Sequence, residues 1–140
     1  MVRVTGEPFP NLEAGLIEWA SGLEGLSSDN PATAYLHVGD ELPSRYAGRL
    51  PFLEISSRGG RTDGLTLFDE IEFYAFAKTR NEARSLLARV FASIDVYPRI
   101  FGGISVDTVQ VTVYPRRSKQ HEPDDDTFCY SGELTASLRR

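Results

Sequence analysis

Hydrophobic and polar residues alternate along this chain with two different periods, and each period predicts one kind of element. Apolar residues recur at helical spacing in residues 12–24 and again in residues 83–94, which predicts two amphipathic helices. Asn11 is placed to cap the first helix, and Thr79 with Glu82 has the T-x-x-E spacing of a capping box. The second helix therefore has both a start signal and a continuous apolar stripe.

Five other stretches alternate between apolar and polar residues, which predicts strands with one buried face and one face turned to water or a partner. In the third stretch this alternation places Phe73 on the buried side, with Tyr74 and Phe76 on the polar side. In the fourth stretch it places Val113 on the same buried side as Val109. The five stretches are residues 33–39, 52–58, 65–77, 104–114 and 127–138.

The order of these elements, α-β-β-β-α-β-β, indicates the fold class. Most connections are too short for parallel crossovers, so the strands are expected to form hairpins. We therefore predict an α+β fold of two layers, in which two helices cover one face of a mainly antiparallel sheet of about five strands. The 140 residues suffice for a single domain with its own core, residues 1–140.

The stretch RGGRTDG, residues 58–64, holds three glycines and allows two interpretations. A glycine-rich loop that binds phosphate needs a helix N-terminus directly after it, whereas a strand is predicted to follow here. We therefore interpret the stretch as the loop of a β-hairpin, because Gly-Gly and Asp-Gly are favoured in such turns. Arg58, Arg61 and Asp63 are then expected to project from its tip.

Charge and cysteine content narrow the classes of function. The chain carries 20 acidic and 15 basic side chains, a formal charge of −5, which argues against tight sequence-independent binding to nucleic acid. Arg116, Arg117 and Lys119 form a short basic cluster, but the acidic run after them offsets it, so we interpret it as a contact between loops. The one cysteine, Cys129, excludes an intramolecular disulfide. The first residues of the chain contain no apolar run, so the sequence predicts neither a signal peptide nor a membrane span. We therefore expect a soluble protein without a membrane partner.

Candidate catalytic and metal-binding residues are few, and each has a simpler interpretation. Glu70 and Glu72 share a strand face about 7 Å apart, a separation that carboxylate pairs of glycosidases use, but alternating glutamates are also typical of a solvated strand. The acidic run at 122–126 lacks the ligand spacing of a calcium loop, and His37 and His121 have no ligand at metal-site spacing. We predict no catalytic residues, no metal site and no cofactor.

Surfaces for assembly are better indicated than a site for chemistry. Ser85, Ala88 and Ala92 share the side of the second helix that faces away from its apolar stripe, and they form a small-residue surface against which another chain could pack. Tyr74 and Phe76 are expected to emerge on the polar side of the third strand, where a monomer gains nothing by exposing them. Both features indicate a protein that works by contact with other chains.

Three segments of the chain, residues 2–20, 42–90 and 131–140, resemble one known family. The most specific part is L-P-F followed by a strand, an arginine with two glycines, an aspartate, a strand ending in F-A, and a helix rich in alanine and leucine. Together these segments resemble the tail terminator proteins of long-tailed bacteriophages, particularly those that infect actinobacteria. The segment SKQHEPDDD, residues 118–126, matches no part of that family, and its role stays open.

The resemblance implies a small α+β subunit that is not an enzyme and assembles into a ring, expected to be a homohexamer. Such a ring caps the tail tube at the neck end of the virion and ends tube polymerisation. It offers a surface to head-completion proteins, and DNA passes through it without specific binding. The implied partners are further copies of the chain, the major tail tube protein and a head-completion protein, with assembly in the cytoplasm of the bacterial host.

Two groups of residues receive expected roles in this ring. The loops at residues 40–51 and 58–64 are expected to contact neighbouring subunits or the tail tube. The polar sheet face is expected to line or border the DNA channel, since its carboxylates would repel phosphates. The loop group comprises Arg45, Tyr46, Arg49, Arg58, Arg61 and Asp63, and the channel group comprises Glu54, Glu70, Glu72 and Glu133.

Three other functions stay open at this point. A head-closure or adaptor ring of the same head-to-tail connector, or an accessory tail protein, would share the features described above. A small hydrolase or ligand-binding domain would use the carboxylates of the third strand, and replacing Glu72 by glutamine would then abolish its activity. A DNA-binding regulator fits less well, because the net charge is acidic and the chain shows no helix-turn-helix pattern.

Overall fold

The computed structural model describes residues 8–23, 37–96 and 98–139, apart from the side chain of Ala47. Within these residues the chain forms two α-helices, seven strands and two short 3₁₀ helices. The helices are α1 (Leu12–Ser21) and α2 (Arg80–Ile94), and the 3₁₀ helices are Ala47–Arg49 and Lys119–His121. The strands are β1 (His37–Gly39), β2 (Phe52–Thr62), β3 (Thr66–Ala77), β4 (Ile100–Phe101), β5 (Ile104–Ser105), β6 (Thr108–Arg117) and β7 (Phe128–Arg139).

One five-stranded sheet organises the fold, with the strand order β1-β2-β3-β7-β6. β1 runs parallel to β2, and every other neighbouring pair in this sheet is antiparallel. β4 and β5 form a separate small hairpin. Both helices pack into the same hydrophobic core on one side of the sheet. The predicted α+β arrangement, with two helices and a mainly antiparallel sheet of five strands, is therefore confirmed.

The second helix forms for the reasons that its sequence indicates. The Thr79 hydroxyl accepts a hydrogen bond from the Glu82 backbone N–H at 3.1 Å, which satisfies one of the free donors at the helix start. The apolar stripe of α2, which includes Leu87, is buried against β3 and β7. Phe91 meets Phe73 of β3 edge to face, with ring centroids 5.2 Å apart. The core of the molecule therefore lies between α2 and the middle of the sheet.

The first helix is shorter than predicted. The Asn11 side chain caps it by accepting from the Ala14 N–H at 3.1 Å, but the helix ends at Ser21 with Gly22 as its C-cap, three residues before the predicted end. The first strand is likewise observed only as His37–Gly39, because residues 33–36 of the predicted stretch lie outside the described residues. Burial of the apolar face of α1 against β2 and the β4–β5 hairpin completes the core.

The glycine-rich stretch joins β2 and β3 as a hairpin, but most of it is strand rather than loop. β2 continues to Thr62, and a β-bulge shifts its register between Ser57 and Gly60. Gly59 has a φ of 81° in the bulge, and a Cβ on Gly60 would lie 1.8 Å from the Phe68 carbonyl oxygen. Gly59 therefore allows the bulge, and Gly60 allows the close approach of β3. The spacing of the glycines in the sequence does not distinguish such a bulged strand from a loop.

Two carboxylates hold this bulge from the helix side of the sheet. The Glu13 carboxylate of α1 accepts a hydrogen bond from the Ser57 N–H at 3.0 Å. The Ser57 hydroxyl donates to Asp69 of β3 at 2.5 Å. Asp69 is buried, and this burial raises the pKa of its carboxyl above the usual range. The bulge is therefore fixed by side chains from three elements.

The fourth predicted strand is wrong in two respects. Residues 104–114 do not form one strand, because Ile104–Ser105 pairs with β4 while the sheet strand β6 starts at Thr108. A second bulge then shifts the register between Val111 and Val113, so that Val113 pairs with Glu133. Paired residues share a sheet face, and Val113 therefore lies on the side opposite Val109. Period-two alternation cannot predict such a shift, since one extra residue exchanges the two faces.

A second, smaller hydrophobic cluster lies on the side of the sheet away from the helices. Its buried members are Phe52, Phe76 and Cys129, and burial raises the pKa of the Cys129 thiol to about 12. Leu42 and Leu50 from the segment 40–51 pack against this cluster, together with Tyr74. The prediction that Phe76 is exposed for assembly is therefore wrong, because this segment covers it.

Candidate functional site

The polar part of the sheet on the side away from the helices is the candidate site, and we call it the open face. Even-numbered residues of β3 point to this side, and the register pairs Glu70 with Thr135 and Glu72 with Glu133. Glu54 of β2 pairs with Tyr74 of β3 on the same side. The structure therefore brings together on one face all four glutamates of the predicted channel group, Glu54, Glu70, Glu72 and Glu133.

Arg58 lies at the centre of the open face and bridges two of these glutamates. Its Nε lies 3.2 Å from Glu72 Oε1, and one terminal nitrogen lies 3.1 Å from Glu133 Oε1. Glu72 and Glu133 stand directly opposite each other on neighbouring strands, a position in which like charges are destabilising. Arg58 lies on β2, two strands away from β7, and its positive charge offsets the repulsion between the two glutamates. The expectation that Arg58 projects from a loop tip is therefore wrong, because β2 extends past it.

The Arg58 bridge gives a first testable prediction. Replacing Arg58 by methionine keeps an unbranched side chain, removes the positive charge and leaves Glu72 facing Glu133. We expect the free energy of unfolding to fall by at most about 1 kcal/mol at low ionic strength, because the arginine is half exposed. The loss should shrink at high ionic strength, since salt screens the exposed carboxylates. Urea unfolding at the two ionic strengths measures both effects.

A double-mutant cycle provides the control for this prediction. Adding Glu133→Gln to the Arg58→Met variant removes the like-charge pair and should restore part of the lost stability. The same Glu133→Gln change in the original protein should destabilise it, because it removes a partner of Arg58. A loss that is identical at both ionic strengths, with no recovery in the double variant, would contradict the electrostatic interpretation.

A cluster of side chains closes the end of the open face next to the segment 40–51. Glu54 accepts a hydrogen bond from the Leu42 N–H at 2.9 Å, and burial raises the pKa of this carboxyl. Burial, aided by the neighbouring Glu72, raises the pKa of the Tyr74 phenol to about 12. The His121 ring lies over Tyr74, with ring centroids 4.5 Å apart. The neutral phenol and the imidazole thus tie the segment 118–126 to the sheet.

Ser118 and His121 form a contact that sequence reasoning missed. The Ser118 hydroxyl lies 2.5 Å from His121 Nδ1, at the start of the 3₁₀ helix Lys119–His121. The two residues are three apart, a spacing that carries no recognisable motif, and the partner ring of Tyr74 is distant in the sequence. The pair stabilises the turn that lays this segment on the open face.

Two open grooves run along this face, one on each side of Arg58. One, of about 620 Å³, is lined by Arg61, Phe68, Glu70 and polar residues of β6 and β7. The other, of about 700 Å³, is lined by Glu72, Glu133, the segment 116–121 and Tyr74. Their linings are polar and carry both signs of charge. Such grooves suit contact with an extended, hydrated surface rather than with an apolar ligand.

The residues of the predicted loop group do not converge. Tyr46 donates a hydrogen bond to the Asp124 carboxylate, and Arg45 and Arg49 are exposed beside it at the start of β2. Arg61 lies near the other end of β2. The structure therefore divides this group between the two ends of the sheet, with Arg58 between them.

The turn at the far end of β2 is built by Asp63. Its carboxylate accepts hydrogen bonds from the backbone N–H groups of Thr66 at 2.8 Å and Leu65 at 3.0 Å. These two bonds hold the pKa of Asp63 below its usual range. The Arg61 guanidinium lies over the Phe68 ring, 5.5 Å from its centroid. Asp63 and Arg61 are both predicted to contact other subunits or the tail tube. In the structure, each is held by contacts within its own hairpin.

The predicted small-residue surface of α2 is only partly exposed. Ser85 is half-buried, whereas Ala88 and Ala92 are exposed. These two alanines line a groove of about 640 Å³ between α2 and β6, with Tyr114 and Pro115 on the opposite wall. The groove lies on the helix side of the sheet, away from the open face.

Two comparisons, one with protein-family models and one with curated protein sequences, find no relative of the chain. No protein-family model matches the chain, and no curated protein sequence matches it. Among the described residues, no three or more His, Cys, Asp or Glu side chains are grouped so that they could hold a metal ion. No helix in the described part of the chain is long and apolar enough to span a membrane.

Proposed function

We propose that this chain is a structural subunit of a bacteriophage tail, and that six identical copies of it form a ring on the end of the tail tube. The ring ends tube polymerisation and presents a joining surface to a head-completion protein. The observation that supports this proposal is the group of four glutamates from β2, β3 and β7 that lie together on the open face.

Electrostatic repulsion explains why such a face would suit a DNA channel. Affinity for DNA comes from Lys and Arg side chains that neutralise phosphates, and carboxylates work against it. Among the basic residues that line this face, Arg58 is already held by Glu72 and Glu133. Six copies, each with a formal charge of −5, would let DNA pass without holding it.

A charge-reversal experiment tests the channel. Glu70 is exposed on the open face, and Glu18 is exposed on α1, on the other side of the sheet. Glu70→Lys and Glu18→Lys change the net charge equally, so they form a matched pair. We expect rings of the Glu70→Lys variant to retain duplex DNA in a salt-dependent way, whereas Glu18→Lys rings should behave like the original protein. Equal retention by both variants would contradict a channel lined by the open face.

Light scattering and negative-stain imaging test the ring itself. Purified protein is expected to have six times the mass of one chain, and the particles should appear as rings that bind one end of isolated tail tubes. A stable monomer that ignores tubes would contradict the proposal. A phage that lacks this protein should make tails of abnormal length. Full-length tails that fail to join heads would instead assign the chain to head closure.

A further inference from the structure

The outer face of α2 carries a stripe of exposed residues at intervals of four. Arg80 and Arg84 occupy its first half, and Ala88 and Ala92 occupy its second half. Residues four apart lie on the same side of a helix, so the stripe is basic at one end and has only small side chains at the other. Arg84 contacts Asn81 at 3.1 Å within the helix. The two arginines lie near the helix N-terminus, where cations gain nothing from the helix dipole, so the stability of α2 does not explain them.

The acidic segment at residues 122–126 has the complementary charge and a fixed shape. Arg117 donates two hydrogen bonds to the Glu122 carboxylate, at 2.9 and 3.2 Å, and these hold the pKa of Glu122 below its usual range. Asp124 accepts from the Tyr46 hydroxyl and from the Asp126 N–H. The side chains of Asp125 and Asp126 are exposed. Because the segment is already ordered, binding it costs less conformational entropy than binding a loose loop.

Within one copy these two surfaces are not joined, since in the part of the chain that the structure describes no ion pair links Arg80 or Arg84 to a carboxylate of residues 122–126. α2 covers the helix side, where its apolar stripe is buried in the main core. The acidic segment follows His121, whose ring lies over Tyr74 on the open face. Both surfaces of one copy therefore remain available to another copy. Two copies can bring them together in a head-to-tail contact, which closes into a ring when the rotation between copies permits.

We propose that the outer face of α2 in one copy binds the acidic segment at residues 122–126 of the next copy. Arg80 and Arg84 then pair with the carboxylates of Asp125 and Asp126, while Ala88 and Ala92 let the neighbouring backbone approach closely. This inference rests on the proposed ring. It gives a role to the segment SKQHEPDDD, and it predicts that assembly weakens as salt is added.

Two charge-reversed variants test the contact. The first carries Arg80→Glu and Arg84→Glu, and the second carries Asp125→Lys and Asp126→Lys. Each variant alone sets like charges against each other at every contact, so we expect monomers at concentrations at which the original protein is a ring. Mixed in equal amounts, the two variants can alternate around a ring with opposite charges at every contact. The mixture is therefore expected to regain the mass of the original ring by light scattering.

The outcomes separate this inference from the ring itself. Circular dichroism and thermal unfolding first establish that each variant is folded, and a variant with Arg80→Lys and Arg84→Lys, which keeps the charge, should still form rings. If the original protein is a ring and both reversed variants stay rings, or if mixing does not restore assembly, the inference is wrong while the proposed ring stands. If the original protein is a monomer, the proposed ring fails and the contact fails with it.

Discussion

Replacing Leu87 by alanine is expected to lower the free energy of unfolding by about 2–5 kcal/mol. Leu87 is fully buried in the main core, on the face of α2 that packs against β3 and β7. Its removal loses the transfer free energy of the side chain and leaves a cavity that the rigid sheet cannot close. Urea unfolding followed by the fluorescence of the single tryptophan, Trp19, measures this loss.

The matched control is the same substitution at Leu65. This leucine lies in the β2–β3 turn and is 79% exposed, so Leu65→Ala should change stability by less than about 0.5 kcal/mol. The slope of the unfolding free energy against urea should be similar for both variants, because neither changes the surface that unfolding exposes. Equal losses from the two substitutions would mean that α2 does not cover the sheet.

Replacing Gly60 by alanine is expected to cost about 3 kcal/mol or more. The added Cβ would lie 1.8 Å from the Phe68 carbonyl oxygen of β3, a distance that forces the two strand backbones apart. The strain falls on the hydrogen-bonded hairpin, where the neighbouring strand cannot give way as a flexible side chain would. Thermal unfolding measures the loss, and hydrogen exchange in β2 and β3 shows where it falls.

Gly59 provides the control, since it is the adjacent residue of the same bulge. Its φ of 81° disfavours a side chain, but a Cβ there meets no atom within 4 Å. We expect Gly59→Ala to cost only about 1–2 kcal/mol, the penalty of a left-handed conformation. A larger loss at Gly59 than at Gly60 would show that backbone conformation, rather than the approach of β3, governs this bulge.

The elements with a long, regular pattern could be predicted from the sequence. The stripe of α2 and its Thr79 cap depend on residues close together in the chain, and the structure confirms both. The alternation in β3 and β7 likewise placed Phe73 and Leu134 on the buried side. In each case, local spacing alone determines which side chains face the core.

The features that could not be predicted depend on register or on distant contacts. A single extra residue between Val111 and Val113 turns Val113 to the open face. Phe76 is buried because the segment 40–51 folds over it. Arg58 meets Glu133 only because β7 lies beside β3. For the candidate site, the sequence therefore indicated the four glutamates of one face, but not the arginine that links them.

The position of β7 has a consequence for how the protein is made. On the ribosome, the β2–β3 hairpin emerges well before residues 128–139, which pair with β3 along its whole length. Until then, the edge of β3 that later pairs with β7 keeps unsatisfied backbone hydrogen-bonding groups, and such edges attract other chains. β6 also waits for the same strand. Slower translation of the region between α2 and β7 should therefore lengthen the period in which this strand edge of the newborn chain is exposed to aggregation.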